Sequence, residues 1–224
     1  MVRRKSARLH RKHRPGRLKD LDMFFSFDGL DGAGKSTQLD LFVQWLRAAG
    51  HDVVTCCDPG STPLGEEIRN TLLGHRVAIA RTSEMLLFMA ARAQLVDEVI
   101  RPALERGQVV VSDRYLLANI VYQGYAGGLD VEEIRRIGRV ATWGIMPEIV
   151  FVLDMSPESA AGRIARRRDR MESQGAPYQN RLRQGFLAEA AKDPNHLVVI
   201  DAARDVDAVQ SDIRAAAARA LAQT

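Results

Sequence analysis

The sequence predicts an α/β fold: a five-stranded parallel sheet between two layers of helices, with a small mobile lid. Three observations predict it. Short apolar runs alternate with segments of helical periodicity, at a spacing that calls for parallel strands joined by right-handed helical crossovers. The first apolar run enters a glycine-rich loop and then a helical pattern, in the order strand, loop, helix. Residues of unusual chemistry stand where the strands end, which is where open parallel sheets bind ligands.

That first stretch, Phe24 to Gln38, reads FFSFDGLDGAGKSTQ. Met23 to Phe27 is a buried strand, and Gly29 to Ser36 fits the phosphate-loop pattern G-x-x-x-x-G-K-[ST]. Gly29, Gly32 and Gly34 let the backbone turn tightly. Asp31, Ala33 and Thr37 complete the cradle of N–H groups. Lys35 is placed to reach the β- and γ-phosphates of a nucleoside triphosphate, and the Ser36 hydroxyl to help hold Mg²⁺. Leu39, Phe42, Val43 and Leu46 give the next segment, from Thr37 to Ala49, helical spacing. Its N-terminus faces the phosphates.

The second strand, His51 to Cys57, ends in the turn Asp58-Pro59-Gly60. Ser61 or Thr62 caps a helix that opens on Pro63 and stops at Gly74. A long helical pattern covers Thr82 to Arg106, with a kink or break expected at Pro102. Gln108 to Val111 is a third strand, buried on both faces, running into Ser112-Asp113-Arg114-Tyr115. Leu116 to Gln123 is helical, and Asp130 caps a helix that runs to about Trp143. Ile149 to Leu153 is a fourth strand ending at Asp154, followed by a helix capped by Ser156 with Pro157 after it. That helix runs into the basic stretch Arg163 to Arg170 and a polar loop. A helix from Tyr178 to Ala191, a strand from His196 to Ile200 and a helix from Asp205 to Ala222 close the chain.

Of the 224 residues, 46% are hydrophobic and 27% charged, which suits one sizeable core. No apolar run approaches the roughly 18 residues that cross a bilayer. The two cysteines, Cys56 and Cys57, are adjacent. A bridge between neighbours would be strained, so they read as thiols in a reducing, cytoplasmic setting. Nine of the 32 Lys and Arg stand in residues 1–19 with no Asp or Glu. The rest therefore carries 23 basic against 28 acidic residues, so the basic balance is no argument that the body binds nucleic acid. Residues 1–22 divide off as a basic leader, and 23–224 as one domain with its lid over about 163–177. The leader is open to three readings: a disordered arm for anionic partners, an arginine-rich transit peptide, or an extension ahead of a true start at Met23.

Asp113 follows an apolar strand, where phosphate-loop proteins keep a carboxylate for Mg²⁺. Arg114 beside it is a bidentate donor for an anionic substrate. Phe88 and Arg92 are four apart on one helix and share a face. A ring and a guanidinium suit a planar base, though that spacing alone is also what a core helix shows. The arginines of 163–170 are either a solvated face or a source of charge for a transferring phosphoryl group.

With these residues in place, the chain from Met23 onward, about nine-tenths of its length, resembles thymidylate kinase of the bacterial type. The pieces that carry the resemblance are FDGLDGAGKSTQ, DPGSTPLGEEIRNTLL, EMLLFMAARAQLVDEVIRPAL, SDRYLLANIVYQG, FVLDMSPE, DRME and VIDA. The resemblance implies transfer of the γ-phosphoryl of ATP to dTMP, with Mg²⁺, in a homodimer. It assigns Asp31 to the sugar 3′-hydroxyl, Phe88 to stacking on thymine and Arg92 to its edge. It assigns Asn119, Tyr122 and Gln123 to the base and sugar pocket, and Asp113 and Arg114 to metal and phosphates. Arg163 and Arg167 fall among the lid arginines, and Glu172 matches an acid at the lid's end, a further candidate for the metal. The chain departs from the family at Cys57, where an arginine usually holds the acceptor phosphate. It also departs at Asp58, in place of glutamate, and at Ala118, in place of serine. Arg69 is placed to compensate for Cys57. Two other readings stay open: a kinase of another nucleoside monophosphate, and a phosphate-loop binding or switch protein.

Overall fold

The computed structural model describes residues 23–74, 78–164 and 174–222. Five parallel strands make one sheet: β1 (Phe24–Gly29), β2 (Val53–Cys57), β3 (Val109–Asp113), β4 (Ile149–Asp154) and β5 (Leu197–Asp201). Their order is β2-β3-β1-β4-β5. The chain leaves β1 for one edge, returns to fill the gap with β3, then crosses to β4 on the far side. The direction of winding reverses about β1, so a crevice opens beyond its carboxyl end. In register, Phe25 stands between Val111 and Ile149.

The central strands are continuous apolar runs because both faces are covered; all six residues of β1 are buried. Side chains alternate, so Phe25 and Phe27 face one core and Phe24 the other. On the first face α1 (Lys35–Ala48) is anchored by Phe42, whose ring lies 5.2 Å from that of Phe25, 5.7 Å from Phe27 and 5.4 Å from Phe151. Each such pair adds about 0.5–1.5 kcal/mol beyond its buried area, and together they seat the start of α1 beneath the loop after β1. On the second face Phe24 packs edge-on to Tyr115 at 4.9 Å.

Four helix starts follow the expected capping chemistry. Thr62 caps α2 (Pro63–Leu73) by accepting from Gly65 N at 2.9 Å. Asp130 accepts from the N–H groups of Glu132 and Glu133 to start α6 (Val131–Thr142). Ser156 caps α7 (Pro157–Gly162), and Asp205 caps α9 (Val206–Leu221) after α8 (Ala176–Lys192). Helix α1 differs. Its cap is Gly34 at φ 91°, with no side-chain oxygen to take its first N–H groups.

At Pro102, where a kink or break is expected, the long helical pattern continues through a local change of pitch. Helix α3 (Arg81–Leu95) passes through a wide π turn at Val96–Ile100 into α4 (Arg101–Glu105). Pro102 has no N–H and its ring crowds the carbonyl four residues back. The widened turn ahead of it absorbs both, so the helix continues. A second π turn, Ile120–Tyr125, follows α5 (Leu116–Asn119).

One residue of β1 is out of keeping with its surroundings. Asp28 is fully buried and neither carboxylate oxygen has a hydrogen bond, Arg114 Nη1 standing 3.6 Å from Oδ1. Burial pushes its carboxyl up from 3.8 to about 7, against the pull of Arg114 and Lys35. Between those values the folded chain holds a proton that the unfolded chain has lost. Stability therefore falls as pH rises through that window, by on the order of 4 kcal/mol once complete. Asp28→Asn is expected to raise the melting temperature by several degrees at pH 8, with the gain shrinking toward zero near pH 4.5. A gain that does not vary with pH would refute the burial cost.

Candidate active site

A cavity of about 710 Å³ opens at the carboxyl ends of β1, β2 and β3. The loop between β1 and α1 forms its floor. Gly32, at φ 87°, lies so close to α7 that a Cβ there would stand 2.1 Å from the Ala160 carbonyl oxygen. With Gly34 also at positive φ, the loop can curl only because these positions are glycine. Asp31 to Thr37 line the cavity, and the uncapped N–H groups of α1 open toward it. Gly29 stands behind the loop, its carbonyl accepting from Lys35 Nζ at 3.3 Å and Arg114 Nη1 at 3.2 Å.

Three charged side chains and the Tyr122 hydroxyl meet at the end of β1. Lys35 Nζ donates to Leu30 O at 2.8 Å and to Asp31 Oδ1 at 3.3 Å. Arg114 Nη2 donates to Asp31 Oδ1 at 2.6 Å and to the Tyr122 hydroxyl at 3.1 Å, with the Tyr122 ring 5.0 Å away. Tyr122 in turn donates to Asp31 Oδ2 at 3.3 Å. Burial raises the Asp31 carboxyl, but Arg114 and Lys35 overcome it and hold the group well below the usual carboxylate range. Burial lowers the Lys35 ammonium, and Arg114 adds to that, against Asp31. Arg114 sits at φ 66°, in the left-handed region that side chains avoid. Its N–H donates to Phe27 O at 2.9 Å, which fastens the end of β3 to β1. Backbone strain of this kind gathers where geometry serves function.

Asp113 ends β3 with its Oδ1 buried and without a hydrogen bond. Ser36, in the first turn of α1, lines the same cavity. Oxygen donors beside a phosphate cradle suit a hard divalent cation, and the orphaned Asp113 oxygen is the acceptor such an ion would use. Among the described residues no group of three or more His, Cys, Asp or Glu forms a ready-made metal cage.

The far end of the cavity is lined by Cys57, Arg69, Phe88, Arg92, Ala118, Asn119, Tyr122 and Gln123. Phe88 is half-buried and Arg92 buried, so the shared helix face is real. Arg92 spends Nε on Asp58 Oδ2, Nη1 on Met89 Sδ at 3.1 Å and Nη2 on Tyr115 O at 3.2 Å. Arg69 Nη1 donates to Pro59 O at 2.7 Å, which holds the guanidinium at the wall it shares with Cys57.

The cavity has a further wall that the sequence reading missed: Gln38, Ala202, Arg204, Val206 and Val209. Gln38 Nε2 donates to Val206 O at 3.0 Å, joining α1 to the segment after β5. Only the place of the last four after β5's carboxyl end could have marked them; nothing marks Gln38. Arg163 follows α7 and donates to Ala202 O at 3.5 Å. Arg167, Glu172 and the leader lie outside the described residues. Among the described residues no helix is long and apolar enough to cross a membrane.

The cavity therefore combines an anion cradle, a cationic and acidic cluster at its middle, and an aromatic face with donors and acceptors beyond it. The family model for thymidylate kinase matches residues 27–213. A thymidylate kinase of Bifidobacterium longum is 46% identical over 200 residues, 86% of this chain and 97% of that protein. One of Rhodopirellula baltica is 39% identical over 201 residues, 90% of this chain and 80% of that protein. The crystal structure of thymidylate kinase from Ehrlichia chaffeensis superposes with a TM-score of 0.73 at 29% identity, covering 87% of this chain and 97% of that one. Sequence, fold and cavity agree, and the chain belongs to the thymidylate kinase family.

Proposed function

We propose that this chain transfers the γ-phosphoryl group of ATP to dTMP, giving ADP and dTDP. The observation that carries the reading is the single cavity joining the phosphate cradle to the Phe88–Arg92 face, with Lys35, Asp31 and Arg114 between them. A phosphate oxygen of dTMP forms the new bond to the γ-phosphorus as the bond to the β-phosphate oxygen breaks. Charge spreads over the transferring group, so catalysis is largely positioning and electrostatic stabilisation.

In this reading the loop's N–H groups and the start of α1 bind the donor phosphates. Lys35 leaves the carbonyls of Gly29 and Leu30 to follow the β- and γ-oxygens. Arg114 faces the acceptor phosphate and Arg69 supports it from the Cys57 wall. Asp31, gripped from both sides, is left to meet the sugar. Phe88 stacks on the base, and Arg92, Asn119, Tyr122 and Gln123 surround it. Ser36 and Asp113 would hold Mg²⁺, which when bound neutralises phosphate charge. Glu172 is a further candidate for it. Residues 163–177 act as a lid over the donor in a kinase domain of residues 23–224. Closure brings Arg163 and Arg167 to the phosphates and excludes water. The use of ATP and the free thiols of Cys56 and Cys57 support a cytoplasmic setting. Its partner is a second copy: Leu86 on α3 and Val140 and Trp143, in and just after α6, are exposed apolar residues on two helices that pack side by side.

One observation favours a second reading. Cys57 lines the acceptor wall with no charge to offer a phosphate, so a kinase with a drifted acceptor remains the alternative.

ADP release measured across the nucleoside monophosphates should be fastest with dTMP, and Lys35→Ala should lower kcat by several orders of magnitude. Near-normal turnover in that variant would sink the phosphoryl-transfer reading. Cys57→Arg should lower the dTMP KM severalfold; an unchanged KM would show that Arg69 already fills the role. Light scattering should give twice the chain mass, and Leu86→Asp with Trp143→Asp should halve it. A wild-type monomer would refute the dimer.

A further inference from the structure

The acceptor end contains a relay that phosphoryl transfer does not require. Glu84, in the first turn of α3, is buried, and its Oε1 accepts from Gln123 Nε2 at 2.8 Å. Gln123 Oε1 accepts from Asn119 Nδ2 at 2.7 Å. Asn119 Oδ1 is left buried and without a hydrogen-bond partner, on a side chain that lines the cavity. The exposures of the three residues are 6%, 2% and 2%, so water cannot easily substitute for any link.

The ends of a side-chain amide can exchange places, but here each link fixes the next. A carboxylate only accepts, so Gln123 must turn its NH₂ to Glu84. Its oxygen then faces Asn119, which must answer with its own NH₂. The Asn119 oxygen is what remains, and it stays an acceptor. Beside it Arg92 has three N–H groups committed to Asp58, Met89 and Tyr115, and a guanidinium can only donate with the rest. The wall thus carries one fixed acceptor and a set of fixed donors.

A pyrimidine with N3–H between two carbonyls matches that wall, giving a donor for the acceptor and acceptors for the donors. Cytosine reverses the pattern, since its N3 accepts and its C4 amino group donates. We infer that Glu84 is a positioning residue that fixes the polarity of the Gln123 and Asn119 amides and so selects the thymine type of base edge over cytosine. This rests on the acceptor assignment above. A site of fixed polarity rejects the wrong edge because binding it leaves buried groups unpaired.

The test is the ratio of kcat/KM for dTMP to that for dCMP. Glutamine at position 84 can present either end, so the relay loses its direction. Glu84→Gln is expected to lower the ratio by about tenfold or more, through a higher dTMP KM and a gain on dCMP, with the ATP KM unchanged. Glu84→Asp keeps an acceptor-only group and should hold the ratio within about threefold of wild type, well inside the tenfold loss expected of a reversed edge. Should Glu84→Gln fail to fold, Gln123→Met breaks the relay in its middle and should lower the ratio in the same way. An unchanged ratio in a folded Glu84→Gln or Gln123→Met would overturn the proposal. So would an equal loss in Glu84→Asp, since that would mean packing rather than polarity. If the wild-type chain does not phosphorylate dTMP at all, the acceptor assignment itself has failed, which is a separate result.

Discussion

Everything at the mouth of the sheet depends on one guanidinium. Arg114 is held by Asp31, the Tyr122 hydroxyl and the Gly29 carbonyl, with Asp28 beneath it. Without it, the buried Asp28 and the partly buried Asp31 would both lose their nearest guanidinium, leaving Lys35 as the remaining cation of the cluster. Buried charges persist only when paired or hydrogen-bonded. The cost of this arrangement is visible at Asp28, which burial pushes up to about 7, and in the left-handed backbone of Arg114 itself. The same residue ties the end of β3 to β1 through its N–H, so fold and charge cluster are one construction.

The rest of the sheet serves to place that cluster. Phe42 against Phe25, Phe27 and Phe151 sets α1 under the loop, and the reversal of winding about β1 leaves room beyond it. One wall then comes from α3 and the segment after β3, another from the residues just after α7 and the segment after β5. The two substrates would thus bear on separate halves of the fold and meet only over Lys35, Asp31 and Arg114.

Much of this was legible from residues alone, for physical reasons. The glycine loop announces itself because few residues tolerate φ near +90°, as at Gly32 and Gly34. The central strands are legible because burial on both faces demands continuous apolar runs. Capping by Thr62, Asp130 and Ser156 is local chemistry and needs no tertiary knowledge. What escaped was long-range. Gln38 reads as an ordinary helix residue until α9 is beside it, and Arg204 as a loop charge until β5 brings it to the cavity. Glu84 drew no reading from the sequence, since an acid in a helix's first turn is unremarkable; only its contact 39 residues on shows a second purpose. Pro102 was read as a kink or break because sequence shows the missing N–H but not the neighbouring turn that can widen to absorb it.

That widening has a counterpart on the acceptor side. The π turn at Ile120–Tyr125 holds one residue more than an α turn, so the side chains after it are rotated by about 100° from where α periodicity would put them. Within the turn itself, Tyr122 and Gln123 face the cavity while Tyr125 reaches back to Glu189 on α8. Losing a single residue here would swing the base-facing side chains away without disturbing the strands. A one-residue insertion or deletion in that turn would thus re-aim this wall of the cavity while leaving the sheet in place.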